Sequence, residues 1–196
     1  GKASAYQTEK ILKTSLEENI NMIADSVQYL KKNNKEVFFD AEHFFDGYKD
    51  DPDYSILCIK TAIDAGATRV ILCDTNGGTL PREIFEITKK ILGEFKNDKM
   101  FGIHTHNDTD TAVASTLSAV EAGVFQVQGC INGYGERTGN ANLISVIANL
   151  NLKMNKKTLT NQDNIDQLTN VSNFVSEVAN KRPFPFQPFP FQLIHQ

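Results

Sequence analysis

Two histidines, His104 and His106, stand two residues apart at the end of the apolar run 100–103. If that run is a strand, side chains at i and i+2 share a side, and both imidazoles can aim at one point. Neutral imidazole is a common ligand for divalent transition metals. Two histidines are not a complete site, so oxygen donors must come from elsewhere in the chain. In the plainer reading one ring is packed and the other solvated. Asn107 and Asp108 follow at once, and Asp108 is expected to cap a helix over residues 109–122.

Further along comes Gly-Tyr-Gly-Glu-Arg-Thr-Gly-Asn at 133–140. Gly133, Gly135 and Gly139 allow positive φ and close approach of a ligand to the backbone. Glu136 and Arg137 can pair with each other or face a polar substrate. Asn140 is expected to open a helix over 141–150, whose first N–H groups favour anions. The plainer alternative is a turn with a surface ion pair. Nearer the amino terminus, Asp-Ala-Glu-His-Phe-Phe-Asp-Gly-Tyr at 40–48 crowds polar groups behind a short strand, 36–40. Glu42 is a candidate general base, or the group that orients one, against a loop carboxylate in water. His43 reads as a packed or capping residue. Asp-Thr-Asn-Gly-Gly at 74–78 places Thr75 just past another apolar run.

The elements that must position these groups alternate. Ser15 and Glu18 form a capping box ahead of apolar residues at helical spacing, which predicts a helix to Lys32. Strands are expected at 36–40, 68–74, 99–104 and 125–129, each followed by a helix. The helix after the first strand should open at Asp50-Asp51-Pro52 and end at Gly66. The run 68–74 is continuously apolar in its middle, as in a parallel sheet covered on both faces. Candidate groups behind every strand point to part of a (β/α)8 barrel, with a doubly wound open sheet as the alternative. Four strands are half of such a barrel, the rest is expected before Gly1, and strand edges near 37–40 and 125–128 should be unpaired.

Residues 1–152 therefore read as the carboxy-terminal half of the barrel, about four β/α units. Residues 153–182 begin a helical extension, with Thr160 or Asn161 as cap. Residues 183–196 form an extended, poorly ordered tail containing the exact repeat Pro-Phe-Pro-Phe-Gln at 183–187 and 188–192. The 196 residues are 40% hydrophobic and 22% charged with net charge −4, which fits one domain with a sizeable core and suggests no nucleic-acid partner. No apolar run is long enough to span a membrane. Cys58, Cys73 and Cys130 are unpatterned, as expected of reduced thiols in a cytoplasmic protein.

The runs His-Thr-His-Asn-Asp at 104–108 and Ile-Asn-Gly-Tyr-Gly-Glu-Arg-Thr-Gly-Asn-Ala-Asn at 131–142 resemble the isopropylmalate, homocitrate and citramalate synthase family. Phe-Asp-Ala-Glu-His-Phe-Phe-Asp-Gly-Tyr at 39–48 and Cys-Asp-Thr-Asn-Gly-Gly-Thr-Leu-Pro at 73–81 look most like its citramalate branch. The resemblance covers roughly residues 8–182. It implies a metal-dependent barrel that condenses acetyl-CoA with a 2-oxo acid, pyruvate in that branch, for isoleucine and branched-chain amino-acid biosynthesis. It also implies His104 and His106 as ligands to manganese, magnesium or zinc, with Asn140 as a weaker ligand. Glu42 would join the acid–base network and Thr75 would bind the substrate carboxylate. The loop with Gly135, Glu136 and Gly139 would lie against acetyl-CoA or the oxo acid. A homodimer is expected of the full-length protein. The family's Asp-Arg-Glu segment on the first barrel strand has no counterpart here, and the chain departs from the family after residue 182. This chain alone is therefore expected not to turn over. An isopropylmalate or homocitrate synthase is the near alternative, and an inactive half-barrel or scaffold the distant one.

Overall fold

The structure is a computed structural model describing residues 1–96 and 100–189. After a short π-helical turn, Gln7–Leu12, helix α1 (Leu16–Lys32) starts at Ser15, whose hydroxyl accepts from the Glu18 N–H at 3.1 Å. Strand β1 (Phe38–Ala41) leads into α2 (Phe44–Asp50) and α3 (Pro52–Asp64). Then follow β2 (Arg69–Asp74), α4 (Pro81–Phe95), β3 (Phe101–Thr105), α5 (Ala112–Ala122) and β4 (Gln126–Gln128). Helix α6 (Leu143–Leu152), a 3₁₀ segment Gln162–Gln167 and α7 (Leu168–Val178) complete the described chain.

The four strands form one parallel sheet in chain order. Alternation decides what each face carries. Phe39, Ala41, Val70, Leu72, Phe101 and Ile103 point outward into one apolar core with the helices. The opposite face carries Asp40, Ile71, Cys73, Gly102, His104 and Gln128. The register sets Ile71 beside Gly102, and Cys73 beside His104, itself beside Gln128. A flat sheet would hold β1 and β4 roughly 14 Å apart. Yet the Gln128 amide on β4 donates to the Asp40 carboxylate on β1 at 3.2 Å. The sheet is curled with its polar face inside, as a barrel wall must be.

The half-barrel expectation holds, with local corrections. The helix α2 was not expected. His43 takes the position before it with φ 58°, and Gly47 lies so close to Ala3 and Ser4 that a Cβ would clash. The helix α5 begins at Ala112, not 109, and Asp108 is not its cap; Asn107 Oδ1 takes the Ala112 N–H at 3.1 Å instead. The helix α6 opens at Asn142, whose side chain accepts from the Ile144 N–H at 3.0 Å, so Asn140 is free of capping duty. Asn161 caps the 3₁₀ segment. Lys99 and residues 190–196 of the tail lie outside the described residues. Within the tail, the Gln187 amide reaches back to the Ser172 hydroxyl on α7 at 3.0 Å. Among the described residues no helix is long and apolar enough to cross a membrane, and the three cysteines are free.

Candidate active site

All four strands run the same way, so their carboxyl ends open on one side, where a (β/α)8 barrel keeps its chemistry. A cavity of about 290 Å³ lies there, lined by Asp40, Glu42, Cys73, Thr75, His104, His106, Gly135, Glu136 and Asn140. A larger hollow of about 500 Å³ lies between α1 and the edge of β1 and is walled mainly by apolar residues of those elements. It holds none of the histidines, and the smaller cavity is the chemically equipped one.

Asn140 reaches the histidines because the segment after β4 folds back across the end of β3. The Ala141 N–H donates to Thr105 O at 3.1 Å and the Asn107 N–H to Gly139 O at 2.9 Å, which zips 139–141 antiparallel against 105–107. Two glycines make this possible. Gly139 has φ +94°, and a Cβ there would overlap the Gly133 carbonyl; a Cβ on Gly135 would overlap the Asn140 amide. Gly135 and Glu136 line the cavity. Gly139 does not: it is buried, with both its backbone groups bonded within the protein.

The His104 and His106 rings lie 5.1 Å apart, as the i, i+2 spacing requires. His104 Nδ1 is 2.9 Å from Gln128 Oε1, and its Nε2 is 3.1 Å from the Asn140 amide nitrogen. Asn140 Oδ1 is left buried without a hydrogen-bond partner. An imidazole nitrogen and an amide oxygen are both donor types that divalent cations take, and here His104 Nε2 meets the Asn140 amide nitrogen while the amide oxygen is left over. His106 differs. Arg137 Nη2 lies 3.1 Å from its Nδ1, and a guanidinium only donates. The same Nη2 also faces Thr75 O at 2.7 Å and Asp108 Oδ2 at 2.9 Å, so its two N–H groups are shared among three acceptors. Burial, then the His104 ring and the Arg137 charge, holds the His106 imidazolium below its usual range, which favours the neutral ligand form. Among the described residues no three His, Cys, Asp or Glu side chains cluster as metal ligands.

Arg137 links three loops. Its guanidinium forks onto Asp108 at 2.8 and 2.9 Å and donates to Thr75 O at 2.7 Å, while Glu136 stands 3.6 Å away. Sequence reasoning gave Asp108 to a helix cap because its true partner lies 29 residues off. Thr75 Oγ1 accepts the His43 N–H at 2.7 Å, which leaves its own O–H to donate elsewhere. Glu42 is half-exposed and pairs with Lys2 at 2.5 Å. Burial alone would raise its carboxyl, but the hydrogen bond and charge of Lys2 outweigh that and hold it below the usual range. The Cys73 thiol is pushed well up by burial, so the one sulfur in the cavity is not a ready nucleophile.

The HMGL-like family model matches residues 1–175. The chain belongs to the HMGL-like family. Among its HMGL-like relatives, (R)-citramalate synthase of Aquifex aeolicus is 55% identical over 185 residues, 94% of this chain and 34% of that protein. The (R)-citramalate synthase of Geobacter sulfurreducens is 50% identical over 96% of this chain and 35% of its own length. A 2-isopropylmalate synthase of Buchnera aphidicola is 37% identical over 89% of this chain. The chain thus spans about a third of the length of these relatives. The HMG-CoA lyase of Bacillus subtilis superposes with a TM-score of 0.80 at 20% identity, covering 100% of this chain and 66% of that one. That likeness speaks to the HMGL-like barrel fold.

Proposed function

We propose that this chain carries the metal-binding half of the active site of an (R)-citramalate synthase, which condenses acetyl-CoA with pyruvate. One observation carries the reading: His104, His106 and Asn140, from two separate segments, face one cavity at the carboxyl end of the sheet. The 55% identity to an (R)-citramalate synthase across 94% of the chain supports this choice of oxo acid.

A bound divalent metal supplies Lewis-acid polarisation of the oxo-acid carbonyl. Manganese, magnesium and zinc all suit nitrogen and oxygen donors, and His104, His106 and Asn140 would hold the ion. The Thr75 hydroxyl accepts from the His43 N–H, and its own O–H would donate to the substrate carboxylate. Glu42, held ionised by Lys2, is the carboxylate of the acid–base network. Gly135 and Glu136 stand on the cavity wall where acetyl-CoA or the oxo-acid side chain would pass. On this reading residues 1–152 are the catalytic portion and residues 153–182 begin the helical extension. The full-length protein is a cytoplasmic homodimer on this reading.

The test compares two proteins for thiol release from acetyl-CoA with manganese. The isolated chain with pyruvate is expected to give none above blank. The full-length protein containing this segment is expected to work faster on pyruvate than on 2-oxoisovalerate. Preference for the longer acid would replace the reading with isopropylmalate synthesis, and brisk release by the isolated chain would overturn the claim that it holds only part of the site.

A further inference from the structure

We propose that Gln128 is a positioning residue that holds His104 with its proton on Nδ1 and its Nε2 lone pair turned toward Asn140. The proposal rests on the reading of His104 as a metal ligand, and it adds a residue absent from the cavity wall.

The assignment follows from what each partner can do. A carboxylate accepts and an amide nitrogen donates. Gln128 Nε2 at 3.2 Å from Asp40 Oδ1 therefore fixes which way the glutamine amide faces. Its oxygen must then face His104 Nδ1, at 2.9 Å. That oxygen carries no proton, so Nδ1 donates and Nε2 is left bare. The second constraint comes from the other side of the ring. The Asn140 amide nitrogen, 3.1 Å from Nε2, finds an acceptor there. A free neutral imidazole in water prefers its proton on Nε2, the opposite arrangement, so the protein must impose this one. Gln128 can do so because it pairs with His104 in register and shares its face of the sheet. Metal-binding histidines are commonly oriented by such a partner on the far nitrogen, whose loss costs affinity about 10–100-fold.

The experiment uses the chain with ¹⁵N-labelled histidine, free of metal, at mildly alkaline pH. Long-range proton–nitrogen spectra report which ring nitrogen is protonated. Wild type is expected to show His104 protonated on Nδ1. Gln128→Met is expected to lose that signature and to bind Zn²⁺ about 10–100-fold more weakly, with unchanged circular dichroism. The pair Gln128→Glu with Asp40→Asn reverses the hydrogen bond between those two positions, keeps an acceptor toward Nδ1 and is expected to restore the signature, which separates positioning from a packing or folding defect. A Gln128→Met chain that keeps the wild-type tautomer overturns the proposal, as does a chain with Gln128→Glu and Asp40→Asn that loses it. A wild type with the expected tautomer but no Zn²⁺ uptake supports the positioning claim and removes the metal reading.

Discussion

Asp74 at the end of β2 is 2% exposed, and both its oxygens lie 3.3 Å from the Thr79 N–H. Burial pushes its carboxyl up to about 6. The folded state keeps this proton to higher pH than the unfolded chain does, so the group's contribution is greatest at acid pH and is lost as pH rises from about 4 toward 6. Asp74→Asn keeps an acceptor for Thr79 and removes the charge. The variant should exceed wild type by about 1–3 kcal/mol at pH 7 and match it near pH 4. Urea midpoints at the two pH values check this, and a wild type more stable at pH 7 would refute it. At this scale the sequence was informative where spacing alone fixes direction. His104, His106 and Thr75 declared themselves by lying just past apolar runs. Gln128 did not, because a glutamine in a short strand reads as neutral. The one available signal was its place on the inward face of its strand. Asp108 was misread because an N-cap is a local inference and its ion pair with Arg137 is not.

At the scale of elements, the return segment 133–142 positions Asn140. Gly139 lets the segment pack against the Gly133 carbonyl, and Gly135 leaves room for the Asn140 side chain. Gly135→Ala should leave thermal stability nearly unchanged, since its φ is not left-handed and the added Cβ overlaps a movable side-chain amide. It should still weaken Zn²⁺ binding by about tenfold or more, because the added methyl takes the space of the Asn140 amide. Calorimetric titration beside a melting curve separates the two effects. The barrel elements were legible because short apolar runs alternate with longer runs of helical period. The helix α2 escaped because its polar residues and Gly47 look like a loop. Only the packing of Phe44, Phe45 and Tyr48 into the core makes it helical. The early expectations for α5 and α6 came from reading the nearest Asp or Asn as the cap. The structure uses Asn107 and Asn142 instead.

At the scale of the whole molecule, β1 and β4 each have one strand partner among the described residues, apart from the Lys2–Glu42 bridge beyond β1 and the Cys130–Asn142 bridge beyond β4. Phe38 at the β1 edge is 44% exposed beside the apolar hollow under α1. Such edges template pairing with other chains, and a lysine there discourages it. The chain should therefore self-associate with concentration, and Phe38→Lys should shift it toward monomer in sedimentation velocity. Equal association of both would place the contact elsewhere. The Asp40–Gln128 hydrogen bond joins residues 88 positions apart. The entropy of closing so long a loop must be lost before such a contact offsets it. Strands and helices can thus be in place while His104 still lacks its brace. Chemical competence becomes an event distinct from acquiring secondary structure: the curl of the sheet must close before the imidazole is set, and a chain whose sheet relaxes toward flatness loses the site first and its helices afterwards.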